Sequence, residues 1–142
     1  MKNLILTTLT LSIIVLGGCN QKSKSNPEAE MAAMECSQAW LALLDDGKYD
    51  QGWDASAEFL QSAVGKEDLS KSLMAARKPL GKMISREIIT KQYTTSVPGA
   101  PDGEYVIIQY NTTFENKKSS IETITPMLDK DGKWRVSGYY IK

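Results

Sequence analysis

The stretch Glu104-Tyr-Val-Ile-Ile-Gln-Tyr-Asn-Thr-Thr-Phe114 decides the fold, because its bulky residues alternate over a length that spans a small sheet. Val106, Ile108, Tyr110, Thr112 and Phe114 fall on one face of such a strand, and Tyr105, Ile107, Gln109, Asn111 and Thr113 on the other. The first face is the core face. The closing stretch Lys133-Trp-Arg-Val-Ser-Gly-Tyr-Tyr-Ile-Lys142 alternates in the same way and sets Trp134, Val136 and Tyr140 against Arg135, Ser137 and Tyr139. Two strands of this kind make a sheet with one face that something else must cover.

Working outward, Met83 to Val97 reads as a strand, and the loop Pro98-Gly-Ala-Pro-Asp-Gly103 returns the chain into the organising strand. Asn116 to Ser119 makes the next turn. Ile121 to Leu128 is a third strand, in which Pro126 lacks a donor for the ladder and predicts a bulge or an edge. Asp131-Gly132 is a hairpin turn into the last strand. Asp129 to Gly132 lacks the spacing of a calcium loop, and Tyr140 stands where the bidentate Glu would be.

The cover lies upstream. Asn26-Pro27 is an N-cap followed by Pro at the first helical position, with Glu28 and Glu30 facing the positive end of the helix dipole. Ala29, Ala32, Ala33, Cys36, Trp40, Leu43 and Leu44 recur at helical spacing until Gly47 closes the helix. A second helix is expected over Asp50 to Ala63, with Trp53, Ala57, Leu60 and Val64 inward. A third is expected over Lys66 to Lys78, burying Leu69, Leu73 and Ala76 before Pro79 stops it. The expected class is α+β, with three N-terminal helices on one face of a four-stranded, mainly antiparallel, curved sheet. Residues 27–142 form one domain, and the opposite sheet face, with Tyr105, Arg135 and Tyr139, is expected to stay open to a partner.

The 142 residues carry 17 basic and 17 acidic side chains and no histidine. That balance argues against nucleic-acid binding. Without histidine there is no Ser-His-Asp or Cys-His activation and no His-dependent metal site. Met31 and Met34 share a helix side, but Cys36 points elsewhere, so no copper site is expected, and no cofactor or metal at all.

Residues 1–18 read as an export segment, with Lys2 before an apolar run from Leu4 to Leu16 whose 13 residues are too few to span a bilayer. The run ends in Leu16-Gly17-Gly18-Cys19, which resembles the lipobox of bacterial lipoproteins. That resemblance implies cleavage before Cys19, acylation of Cys19 with diacylglycerol and a further chain such as palmitate, and anchorage to a lipid bilayer. Asn20 follows instead of Asp, which implies the periplasmic side of the outer membrane in a bacterium with two membranes. Asn20 to Asn26 is wholly polar and serves as a tether of about 15 Å. Cys36 is then the one remaining thiol, expected buried and unpaired.

Across residues 36–141 the chain resembles domain of unknown function 4019, a family of small exported bacterial proteins. The resemblance rests on Trp40-Leu41, Asp46-Gly47-Lys48-Tyr49, Trp53, Arg77-Lys-Pro-Leu-Gly81, Ser85-Arg86, Pro101-Asp-Gly103-Glu-Tyr105, Tyr110-Asn-Thr-Thr-Phe114, Glu122-Thr-Ile-Thr125 and Trp134 to Ile141. It implies an order of helices and then sheet, similar to cystatin-like and NTF2-like folds, and, the family's function being unknown, it carries over no catalytic residue. Two functions are expected to compete. One is a non-catalytic, membrane-anchored envelope module that binds an envelope protein or small ligand. The other is a small NTF2-like pocket enzyme using Asp45 or Asp46 with Tyr49, Arg77 or Tyr110. The residues expected to line a pocket or partner surface are Tyr49, Trp53, Arg77, Tyr105, Arg135 and Tyr139.

Overall fold

The computed structural model describes residues 25–142, so the export segment, Cys19 and most of the tether lie outside the described residues. Helix α1 (Pro27–Asp45) starts where the sequence places it, with Asn26 Oδ1 accepting a hydrogen bond from the Ala29 amide at 3.2 Å. It ends in a Schellman turn in which Gly47, at φ +71°, donates to the Leu44 carbonyl and Lys48 to the Leu43 carbonyl. Its buried stripe is Ala29, Ala33, Ser37, Trp40, Leu41 and Leu44, so Cys36 sits beside the stripe and is half-buried. Burial raises the thiol pKa to about 11.

The expected second helix is two helices, α2 (Tyr49–Asp54) and α3 (Glu58–Ala63), which brings the α-helices among the described residues to four. Between them Ser56 bridges Val136, and the Ala57 amide donates to the Val136 carbonyl at 2.8 Å. A helix cannot continue through residues that pair with a sheet edge. Gly52 in α2 allows the close approach to α1, since a Cβ there would lie 2.9 Å from Leu44 Cδ1. Helix α4 (Lys66–Arg77) follows, then a 3-10 turn over Lys78–Leu80.

Strands β1 (Met83–Thr94), β2 (Tyr105–Phe114), β3 (Lys117–Leu128) and β4 (Trp134–Ile141) form an antiparallel meander in the order β1-β2-β3-β4. The molecule is therefore α+β, as its sequence pattern indicates, with helices packed on a four-stranded antiparallel sheet. The main core joins Trp40, Leu41, Leu44 and Leu73 to Val106, Ile108, Tyr110, Ile124 and Val136. The core face assigned to β2 is correct along its whole length.

Strand β4 departs from its assigned alternation. Gly138 pairs with Thr125 and Val136 with Pro126, which leaves Ser137 as an extra residue and shifts the register between Thr125 and Pro126. A bulge reverses the parity of everything beyond it. Tyr140, expected inside, is 61 % exposed, and Tyr139, expected outside, packs on Trp40 with ring centroids 5.3 Å apart. Tyr105 is not on an open face either. It is fully buried with Ala57 and Met127 in a second small core that Phe59, Val97 and Ala100 close, and its hydroxyl donates to the Pro101 carbonyl.

Candidate functional site

Four charged side chains from four elements meet beneath the helices. Asp45 ends α1, Arg77 ends α4, Arg86 comes from β1 and Glu122 from β3. They close a ring in which each carboxylate bridges both guanidinium groups. Arg77 Nη1 donates to Glu122 Oε2 at 2.9 Å and Arg86 Nε to Glu122 Oε1 at 2.7 Å. Arg86 holds Asp45 through two bonds, Nη1 to Oδ2 at 2.8 Å and Nη2 to Oδ1 at 2.9 Å, and Arg77 Nη2 donates to the same Oδ1.

Glu122 is fully buried. Its remaining acceptor positions are taken by the Thr112 hydroxyl at 2.6 Å and the Tyr139 hydroxyl at 2.5 Å, and Tyr139 in turn accepts from Arg77 Nη1 at 3.0 Å. The Arg77 guanidinium also stacks over the Phe114 ring at 5.3 Å. Two positive and two negative charges cancel, and each carboxylate oxygen has a donor. That satisfaction is what makes so much buried charge tolerable.

Electrostatics within the ring follow from burial and neighbours. Burial alone would lower the Arg86 pKa, but its hydrogen bonds to Asp45, the charge of Glu122 and its hydrogen bond to Glu122 outweigh that and raise it. Burial, with the Glu122 charge second, raises the Tyr139 phenol well above its ordinary value. Tyr139 is thus a donor that stays protonated.

A cleft of about 460 Å³ opens beside the ring, with Leu44, Tyr49, Met74 and Met83 forming apolar wall and Asp45 and Arg77 at its inner end. Of the residues expected to form a site, Tyr49 and Arg77 share this cleft, and Arg77 touches Tyr139. The others lie elsewhere. Trp53 donates its indole N–H to the Val64 carbonyl at 2.8 Å and has Lys66 Nζ 5.2 Å from its ring, a contact that closes α2 on the start of α4. Arg135 clamps the β3–β4 hairpin by pairing with Asp129 at 2.8 Å and Asp131 at 2.7 Å. It lines a second cleft with Asp54, Glu58 and Gln61. Tyr105 is inside the small core described above.

Arg86 and Glu122 were absent from the expected site. A signal for each was present: Glu122 occupies a core-face position between Ser120 and Ile124, where a charge needs a buried partner. Asp45 sits at a helix C-terminus, where the dipole disfavours an acid unless cations answer it. The stretches that carry the family resemblance supply Arg77, Arg86, Thr112, Glu122 and Tyr139, which is every member of the network except Asp45.

No curated protein sequence matches the chain. The model of the family described as Protein of unknown function (DUF4019) matches residues 36–139, a span that starts within α1, takes in every member of the ring and ends at Tyr139, and the chain belongs to that family.

Proposed function

We propose that this protein is a lipid-anchored module of the bacterial cell envelope, acylated at Cys19, whose folded domain binds a partner or small ligand without catalysing a reaction. The observation that carries the anchor is Leu16-Gly17-Gly18-Cys19 closing a 13-residue apolar run and opening onto a polar tether. With Asn20 behind the cysteine, the periplasmic side of the outer membrane is the destination in a bacterium with two membranes.

Support for a non-catalytic role comes from the ring. A general base needs a free lone pair, whereas Glu122 is buried and accepts four hydrogen bonds, and Asp45 accepts three from two guanidinium groups that hold it as their counter-ion. The enzyme reading keeps one point in its favour, the cleft that gathers Asp45, Asp46, Tyr49 and Arg77. Of these two carboxylates Asp45 is held by both guanidinium groups, and Asp46 is exposed and paired with Lys48 at 3.3 Å.

The test is metabolic labelling with an alkyne analogue of palmitate and membrane fractionation of the parent and the Cys19→Ala variant. The parent is expected to carry label and sediment with membranes, and the variant to lose both. A variant that still sediments entirely with membranes removes the anchor from the proposal.

A further inference from the structure

Large apolar side chains left exposed among the described residues are Met31, Met74, Ile84, Ile88, Ile89 and Tyr140. Four of these six lie on one side of the molecule. Strand β1, an outer strand of the sheet, carries Ile84 at 63 %, Ile88 at 45 % and Ile89 at 50 % exposed. Ile84 and Ile89 are the extra residues at its two register shifts, between Met83 and Ser85 and between Ile88 and Thr90. Each bulge takes its isoleucine out of the ladder alternation, so neither is drawn onto the core face.

Helix α1 lies alongside. Glu30 near its start pairs with Lys91 at 3.8 Å, and Asp45 at its end pairs with Arg86 at 2.8 Å. The side of the helix turned to β1 therefore carries Met34, four residues after Glu30, and Met31 stands one turn before Met34. Met34 packs on the main core, while Met31 is exposed. Met74 on α4 and Tyr140 on β4, the opposite edge strand, are the two that lie elsewhere.

We infer that this flank, the β1 edge with the first turns of α1, is the surface on which the domain rests against its own bilayer. The inference rests on the proposed anchor and deepens it. Its second support is where the tether enters. The tether meets the fold at Asn26, and Met31 lies five residues further, about 7.5 Å along the axis of α1. Because Lys91 is paired with Glu30, Ile89 and Ile88 stand two and three strand positions from the first turn of α1, about 7 to 10 Å. The tether Asn20 to Asn26, about 15 Å as a coil, brings all three to the membrane surface. Ile84 reaches the same surface because α1 and β1 run side by side, so a molecule lying on this flank sets both along the membrane.

Charge does not draw the flank to anionic headgroups, since Glu35 and Glu87 border it and Lys91 is paired with Glu30. The match is with acyl chains just beneath the headgroups. Edge-strand amides and carbonyls need partners, which water and headgroups supply, so only the isoleucine and methionine side chains pass below that layer. Held by the anchor, the flank meets the bilayer at high effective concentration, and a shallow contact suffices.

The test uses the full chain with Cys36→Ala, acylated in cells, purified and reconstituted into phosphatidylcholine vesicles that contain a lipid nitroxide. An environment-sensitive fluorophore is attached through Ile89→Cys or, as control, through Tyr140→Cys. Quenching by the lipid is expected to be at least about threefold stronger at position 89, because three interstrand spacings hold position 140 about 14 Å away. It is expected to be unchanged between about 50 and 300 mM salt, and to fall at least about twofold at position 89 when Ile84→Thr and Ile88→Thr remove apolar contact. Threonine favours strands and both positions are exposed, so the variant keeps its fold. Equal quenching at the two positions, or quenching at 89 that ignores the threonine substitutions, overturns the inference. So does energy transfer between labelled chains without quenching by lipid, which assigns the flank to a second copy. Mass spectrometry of the same sample separates the two readings: a chain without acyl groups on Cys19 removes the anchor and this inference with it, whereas an acylated chain that is not quenched removes the inference alone.

Discussion

At the residue scale the ring carries as much stability as a large buried apolar side chain. Removing one partner leaves an uncompensated buried charge, so Glu122→Ala and Arg77→Met are each expected to cost about 3–5 kcal/mol, read as a fall in denaturant midpoint. Titration at this scale has a definite sign. Cys36 has its pKa raised in the fold from 9.0 to about 11 by burial. Its contribution to stability is complete below pH 9 and is lost as pH rises through 11. Tyr139 acts in the same direction above the ordinary phenol range, because its burial beside Glu122 favours the neutral form. Midpoints measured between about pH 8 and 11 should therefore fall with pH, and more gently in Cys36→Ala. An unchanged slope in that variant would show a thiol with free access to solvent.

At the scale of elements, two details position the site. The bulge at Ser137 brings Tyr139 inward onto Trp40 and Glu122 and sends Tyr140 out. Tyr139→Ala is accordingly expected to cost about 3–5 kcal/mol and Tyr140→Ala less than about 0.5 kcal/mol by equilibrium unfolding; equal costs would mean that β4 pairs without the bulge. Gly81 stands at φ +75°, and a Cβ there would meet Glu115 Oε2 at 2.8 Å and Glu115 Cβ at 3.0 Å. Both the backbone conformation and the crowding oppose a side chain. Gly81→Ala should cost about 1–3 kcal/mol, measurable as a lower melting temperature.

At the scale of the whole molecule, the ring and the core hold the same elements together, since Asp45, Arg77, Arg86, Thr112, Glu122 and Tyr139 come from two helices and all four strands. Phe114, 1 % exposed and stacked under Arg77, belongs to both. Phe114→Ala is expected to cost about 3–5 kcal/mol and to leave unfolding a single transition; two separated transitions would show helices and sheet melting apart. The α+β class, the cap and end of α1 and the core face of β2 were all legible in the sequence. Each of these depends on local periodicity or on a residue such as Asn26, Pro27 or Gly47, whose preference acts within a few positions of itself. The split between α2 and α3, the parity of β4, the burial of Tyr105 and the ring were decided by tertiary structure. Ser56 and Ala57 leave the helical pattern only because Val136 stands opposite them. Tyr139 and Tyr140 exchange faces only because Ser137 is left as an extra residue opposite Thr125 and Pro126. Arg77 and Glu122, 45 residues apart, acquire their meaning only when the fold removes water from both and leaves each as the other's partner.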